Sequence, residues 1–231
     1  MPVFLLDKRD IHFPPVDLAR SDGLLAVGGD LCPKRLILAY SKGIFPWYNQ
    51  GEPILWWSPD PRLVLFPEEL HVPRRLERTI RQGRFSLSCN RAFREVMSLC
   101  GALRQERGEV TWINQDMIDA YCKLNEMGYA LSVESWQDGE LVGGLYGVLL
   151  GSVFFGESMF TKVKDASKVA FVCFVRTFRD MGLKLIDCQV ETAHLRRFGA
   201  RAISRQQFSV LLEKWVDLRP KKVSQGPLRA C

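Results

Sequence analysis

Gly43-Ile-Phe-Pro-Trp-Tyr-Asn-Gln-Gly-Glu-Pro-Ile-Leu-Trp-Trp-Ser-Pro-Asp-Pro-Arg62 carries three of the chain's six tryptophans (Trp47, Trp56, Trp57) and four of its twelve prolines (Pro46, Pro53, Pro59, Pro61). That proline density forbids a helix and is costly inside a central strand, so the stretch reads as a fixed-shape loop presenting large flat side chains. Burying tryptophan removes much area from water but leaves an indole N–H in need of a partner. Two readings follow, an aromatic plug between two lobes or the wall of a ligand pocket, and composition does not choose between them.

On the N-terminal side, Leu24–Val27 reads as a short strand and Pro33 as the start of a helix running to Lys42, closed by Gly43. Leu36, Ile37, Leu38 and Tyr40 supply that helix's apolar side. On the C-terminal side, Leu63–Phe66 reads as a strand. Next comes a basic run, Arg74, Arg75, Arg78, Arg81, Arg84, Arg91 and Arg94, with Glu77 as its single acid. A helix from Pro73 places Arg74, Arg78 and Arg81 on one side. This is either an ordinary solvated face or a phosphate-binding one.

Asn90 is a candidate cap for a helix to about Leu99, and Asn114 for a helix closed by Gly128. Strands follow at about 129–136, 140–150 and 152–160, the first two joined by the hairpin signal Asp138-Gly139. Residues 166–181 are apolar almost all round and predict a buried central helix. Leu183–Val190 then reads as a strand with Asp187 and Gln189 on one face and Cys188 on the other. Ser204 and Gln207 form a capping box for a last helix to Leu218, and a basic tail from Arg219 reads as loose. Antiparallel strands, a buried helix and a further strand give an α+β fold. The expected division is a small N-terminal domain, 1–62, and a larger domain, 63–231.

The 231 residues, 47% hydrophobic and 25% charged, suit a globular chain, and the net charge of +6 favours an anionic partner. The first ten residues become charged too early for a signal peptide, and no apolar run reaches the ~20 residues of a membrane helix. The seven cysteines are odd in number and lack C-x-x-C spacing, and the three histidines are scattered. That disfavours a disulfide framework and a metal site, and suits a reducing cytoplasm. P-loop, dinucleotide, zinc-protease and nucleophile-elbow motifs are all absent. An enzyme here would therefore use a substrate that arrives already activated.

Two polar interruptions break apolar strands: Phe154-Phe155-Gly156-Glu157-Ser158-Met159-Phe160 and Leu185-Ile186-Asp187-Cys188-Gln189-Val190. A buried charge is expensive unless paired, so Glu157 and Asp187 are either catalytic or held by internal hydrogen bonds. Cys188 with His194 offers a weaker thiol-nucleophile reading, since no third group orients them.

Taken together the motifs resemble the leucyl/phenylalanyl-tRNA–protein transferases. The matching words are 23–31 (Gly-Leu-Leu-Ala-Val-Gly-Gly-Asp-Leu), 43–47, 54–62, 111–113, 141–147, 155–160, 166–168 and 185–189, in the family's order. The resemblance implies transfer of Leu or Phe, less readily Met, from aminoacyl-tRNA to proteins beginning with Arg or Lys, which marks them for degradation under the N-end rule. It implies an acetyltransferase-like (GNAT) larger domain with a mainly antiparallel sheet. Residues 161–167 lack the glycines of a coenzyme A loop, so neither that cofactor nor any other is expected, and no metal or membrane. Residue by residue, it places Trp47 and Trp112 around the terminal adenosine of the tRNA, with Glu157 as a pocket acid. Leu145, Phe154, Met159, Phe174, Phe178 and Ile186 would enclose the transferred side chain. Asp187 would orient Gln189, and Gln189 would hold the attacking α-amino group. Arg74, Arg75, Arg78, Arg81 and Arg84 fall on the family's tRNA surface.

One departure stands out. Residues 195–204 (Leu-Arg-Arg-Phe-Gly-Ala-Arg-Ala-Ile-Ser) replace small and acidic residues of the family pattern with basic ones, which would repel a cationic acceptor unless they point elsewhere. The competing readings are an RNA-binding module without catalysis and a Cys188-dependent thiol enzyme.

Overall fold

The structure, a computed structural model, describes residues 3–228. Two mixed sheets organise it. The first is built from β1 (Phe4–Leu6), β2 (Leu24–Gly28), β3 (Phe45–Pro46) and β4 (Leu55–Trp57), in the order β1-β2-β4-β3. β1 runs parallel to β2, and the other pairings are antiparallel. The proline-rich stretch is therefore not all loop. Pro46 is tolerated because β3 is an edge strand, where its missing N–H breaks no ladder. Helix α1 (Pro33–Ser41) connects β2 to β3, with Pro33 at its first turn.

The second sheet has eight strands. β5 (Arg62–Leu65) is followed by helix α2 (Arg74–Arg81), β6 (Ser86–Cys89), and helices α3 (Phe93–Glu106) and α4 (Gln115–Glu126). Then come β7 (Ala130–Gln137), β8 (Glu140–Leu150), β9 (Val153–Thr161), helix α5 (Ala166–Asp180) and β10 (Leu185–Gln189). Short α6 (Ala193–Arg196), β11 (Arg201–Ile203), α7 (Arg205–Trp215) and β12 (Gly226–Pro227) complete it. The strand order is β11-β5-β10-β9-β8-β7-β6-β12. β9 and β10 run parallel and the remaining neighbours antiparallel, so this sheet too is mixed.

One face of the large sheet packs on α3, α4 and the N-terminal segment, in a core that runs from Leu6 to Leu212 and includes Trp56, Tyr121 and Tyr146. The other face packs on α5 and α2. As the all-round apolar pattern requires, α5 buries Val169 through Val175 without a break. The Asp138-Gly139 turn has positive φ at both residues, as a tight hairpin demands. Asn114 and Ser204 cap α4 and α7.

Local readings fail in four places. Asn90 caps nothing: it sits at φ 55° and bridges Val223, Asn125 and Ser132, while α3 starts from Ala92 and extends to Glu106. The tail is not loose, because the Leu228 N–H bonds Leu87 and β12 pairs with β6. Cys188 shares the cavity described below with Asp187 and Gln189, since the register shifts between those two residues and breaks the strand's alternation. Cys32, Cys89, Cys100, Cys122 and Cys188 are free thiols, whereas Cys173 is disulfide-bonded, which the odd cysteine count and spacing do not signal. Among the described residues no helix is long and apolar enough to cross a membrane.

Candidate active site

β9 and β10 pair only from Val153 with Leu185 to Phe155 with Asp187. Beyond that point β9 stays with β8, and a cavity of about 670 Å³ opens where the two parallel strands part. A bulge aims one side chain into it. Tyr146 lies opposite Ser158 and Gly147 opposite Gly156, so Glu157 is the extra residue of β9. Gly147 is required there: a Cβ would lie 2.1 Å from the Phe155 carbonyl oxygen.

Glu157 is the hub of a buried network. Tyr40 of α1 donates to its Oε1 at 2.7 Å, the Gln189 side-chain Nε2 donates to the same oxygen at 2.8 Å, and Tyr121 of α4 donates to Oε2 at 3.4 Å. The Tyr121 hydroxyl, whose contact with Glu157 is the longest of the three, also meets the Tyr40 hydroxyl, so its single proton serves either Tyr40 or Glu157. Burial pushes the Glu157 carboxyl up to about 7, overriding the hydrogen bonds that favour its charged form. Burial, reinforced by Glu157, holds the three phenols Tyr40, Tyr121 and Tyr146 well above their ordinary range, so all three stay neutral, and Tyr40 and Tyr121 serve as donors.

Asp187 is answered differently. Arg62, at the first position of β5, sends Nε to Oδ1 at 2.8 Å and Nη2 to Oδ2 at 2.6 Å. Both residues are buried, and the guanidinium lies 4.8 Å from the ring centres of Phe45 and Phe208. Asp187 Oδ1 also accepts the Gln189 backbone N–H at 2.9 Å. That bond accompanies a left-handed Gln189, φ 59°, a conformation uncommon for any residue but glycine. Arg62 thus fixes Asp187, Asp187 fixes the Gln189 backbone, and the Gln189 side chain meets Glu157.

The tryptophans divide between the two readings of their stretch. Trp56 is fully buried and donates to the Gly28 carbonyl at 2.9 Å, which makes it the plug. Trp47, 41% exposed, lines the cavity with Trp112, their ring centres 5.9 Å apart and nearly perpendicular. Leu145, Phe154, Met159 and Ile186 line its apolar part, together with Phe171. Phe174 and Phe178 lie one layer deeper, Phe174 against Phe154 at 4.5 Å and Phe178 against Phe174 at 4.6 Å. Arg104, Arg107, Lys168 and His194 give the cavity a basic side. Arg74, Arg75, Arg78, Arg81 and Arg84 are all exposed on or just beyond α2, away from the cavity lining.

Three residues of the network, Tyr40, Tyr121 and Arg62, have no site role in the sequence reading, which assigns Tyr40 to an apolar helix side and Arg62 to a domain boundary. The available signal was a polar-tipped residue in each apolar stripe, and a buried tip needs a partner. Burial, with Asp187 second, pushes the Cys188 thiol up, and His194 faces Phe198, so the two form no activated pair.

A mixed α/β chain with an aromatic cavity, floored by a carboxyl raised to about 7 and an amide, has the build of an enzyme. The leucyl/phenylalanyl-tRNA protein transferase profile matches residues 64–213, and the N-terminal domain profile of the same family matches residues 29–60. The chain is 58% identical over 212 residues to the leucyl/phenylalanyl-tRNA–protein transferase of Syntrophobacter fumaroxidans, covering 92% of this chain and 90% of that one. It is 57% identical to the protein of the same name from Nitrosospira multiformis, covering 91% of each. Among solved structures, a GCN5-related N-acetyltransferase from Kribbella flavida aligns at TM-score 0.36 and 14% identity, over 74% of this chain and 61% of that one. The chain belongs to the leucyl/phenylalanyl-tRNA–protein transferase family.

Proposed function

We infer that the chain is an aminoacyltransferase moving Leu or Phe, and less readily Met, from aminoacyl-tRNA to the N-terminal Arg or Lys of acceptor proteins, marking them for degradation. The observation that carries this reading is the cavity between β9 and β10, in which Glu157 and Gln189 meet below Trp47 and Trp112. Its volume suits an aminoacyl-adenosine end, with the tryptophans beside base and ribose and the side chain against Leu145, Phe154, Met159 and Ile186. Phe174 and Phe178 back that wall and set its depth.

In the reaction the acceptor's α-amine attacks the ester carbonyl. A C–N bond forms, the ester C–O bond breaks, and the 3′ oxygen of the tRNA leaves as a hydroxyl. The amine gives up one proton and the leaving oxygen takes one, so no net acid or base is consumed. Because the Gln189 Nε2 is spent on Glu157, its amide oxygen is left to hold the amine. Positioning, not basicity, is what a glutamine can contribute. Glu157, poised near 7, is matched to accept a proton from an α-amino group, whose ordinary value is ~7.7–8. Asp187 acts through Gln189 and is itself shielded by Arg62. The arginines of α2 would bind tRNA phosphates.

The acetyltransferase-like arrangement belongs to this proposal, as does a division into 1–62 and 63–231 near Arg62. It is supported by a helix, α5, that follows the parting strand, and by a first sheet that ends at Trp57. The test is a transfer assay with labelled Phe-tRNA or Leu-tRNA and peptides beginning with Arg, Lys or Ala, without ATP or coenzyme A. Label on the Arg and Lys peptides alone is the expected result. Tight tRNA binding with no transfer to any peptide would replace the enzyme with a binding module.

A further inference from the structure

The basic segment 195–204 leaves open how a cationic acceptor side chain is received, and its arginines point to the answer. Arg201 turns away, pairing with Glu69 at 2.9 Å and lying over Phe66. Arg196 turns back and grips Glu191 with two bonds, Nε to Oε1 at 2.7 Å and Nη2 to Oε2 at 2.6 Å. Glu191 stands between two cavity-lining residues, Val190 and Thr192, and two positions beyond Gln189. Two residues of extended chain span at most ~7 Å, within reach of an Arg or Lys side chain whose α-amine rests at Gln189.

The other carboxylates at the cavity are committed. Glu157 is held by Tyr40, Tyr121 and Gln189, Asp187 by Arg62, and Glu109 by Arg104 at 3.0 Å. Lys168 lines the same cavity, and burial, then Lys168 and Arg197, push the neighbouring His194 imidazole down toward its neutral form. Arg104, Arg107 and Lys168 on the same lining disfavour a cation there, and Glu191 is an acid beside it held only by a half-exposed partner. Both members of the Glu191–Arg196 pair are about half exposed, so an incoming guanidinium can reach Glu191 and take over the two bonds that Arg196 makes there.

Resting on the transfer reaction above, we propose that Glu191 selects the acceptor by receiving the guanidinium or ammonium of its N-terminal residue. Arg196 is an internal stand-in for that cation, displaced when the acceptor binds. The arginine departure then weakens acceptor binding without abolishing it, and leaves the aminoacyl donor untouched.

The experiment is steady-state transfer from labelled Phe-tRNA to Arg-, Lys- and Ala-initiated peptides by wild type, Glu191→Gln, Arg196→Ala and the double variant. Glu191→Gln should raise the acceptor KM for Arg and Lys peptides about two- to fivefold, the scale of a half-exposed ion pair, with donor KM and kcat little changed. Arg196→Ala should lower the acceptor KM, and that gain should vanish in the double variant. An unchanged acceptor KM in Glu191→Gln, with wild type transferring normally, overturns the proposal and leaves the transfer reaction standing. Wild type inactive on every peptide removes the reaction and this proposal with it.

Discussion

The cavity and the outer face of α2 treat charge in opposite ways. On the floor of the cavity the carboxylates are buried and answered, Asp187 by a guanidinium fork and Glu157 by two phenols and an amide. Four arginines of α2, with Arg84 just beyond it, are exposed, and the one nearby acid is taken from behind: Arg176 of α5 binds Glu77 at 2.7 Å and is the main cause of its lowered carboxyl. In low dielectric a charge fixes the position of atoms, and a wrong partner is severely costly. In water, unpaired charge of one sign supplies long-range attraction that salt can screen. The first arrangement serves chemistry and the second serves the docking of a polyanion.

The largest expected effect comes from removing an answer inside the cavity. Arg62→Ala strands Asp187 and should cost about 3–5 kcal/mol in urea unfolding, together with nearly all transfer. Pairing Arg62→Met with Asp187→Leu should restore much of that stability while transfer stays lost, because Gln189 then has nothing to hold its backbone. An Arg62→Ala protein with normal stability and turnover would mean that the cavity's charges are no more fixed than those of α2.

Glu157 comes next, and its sign is definite. Its carboxyl titrates near 7 in the folded chain against an ordinary 4.5, so the folded state holds the extra proton between those values. Stability should therefore fall as pH rises through that window, by up to about 3 kcal/mol in all, since one bound proton is worth about 1.4 kcal/mol per pH unit. Glu157→Gln should flatten that fall in unfolding curves and remove the limb near pH 7 from the kcat/KM profile of transfer. A limb retained in the variant would assign it to the acceptor amine instead.

Legibility in the sequence followed the same divide. The arginines of α2 are local, so spacing and the scarcity of acid were enough to find them. Glu157, Asp187 and Gln189 were visible because each interrupts an apolar strand. Tyr40, Tyr121 and Arg62 were not, because their roles depend on contacts with Glu157 and Asp187 that are 36 to 125 residues away along the chain. A tyrosine in an apolar helix stripe looks like core until the fold shows what its hydroxyl meets. The mixed sheets were hidden for a related reason: strand direction between distant segments leaves no local trace, and the parallel β1–β2 and β9–β10 pairs lie between strands joined by long connections.

On the exposed side of the comparison, the Arg78→Glu, Arg81→Glu double variant should weaken tRNA binding while its unfolding midpoint stays near wild type. Each phosphate that is no longer neutralised should take about 0.9 from the slope of log affinity against log salt. Arg78 is the cleaner of the two, since Arg81 already lies 3.8 Å from Glu77. An unchanged slope would reduce α2 to a solvated surface.

The smallest effect should come from Cys188→Ser, although Cys188 lines the cavity beside Asp187 and Gln189. Its thiol is pushed up by burial and by Asp187, so the thiolate a nucleophile needs is disfavoured in the folded chain. The serine variant keeps the size of the side chain and removes only sulfur chemistry. Transfer, measured with Phe-tRNA and an Arg-initiated peptide, should stay close to wild type. Complete loss with the fold intact would put a covalent thioester step in the cavity. It would also make Glu157 and Gln189 auxiliaries to Cys188, so that the buried charges served a nucleophile instead of positioning an amine.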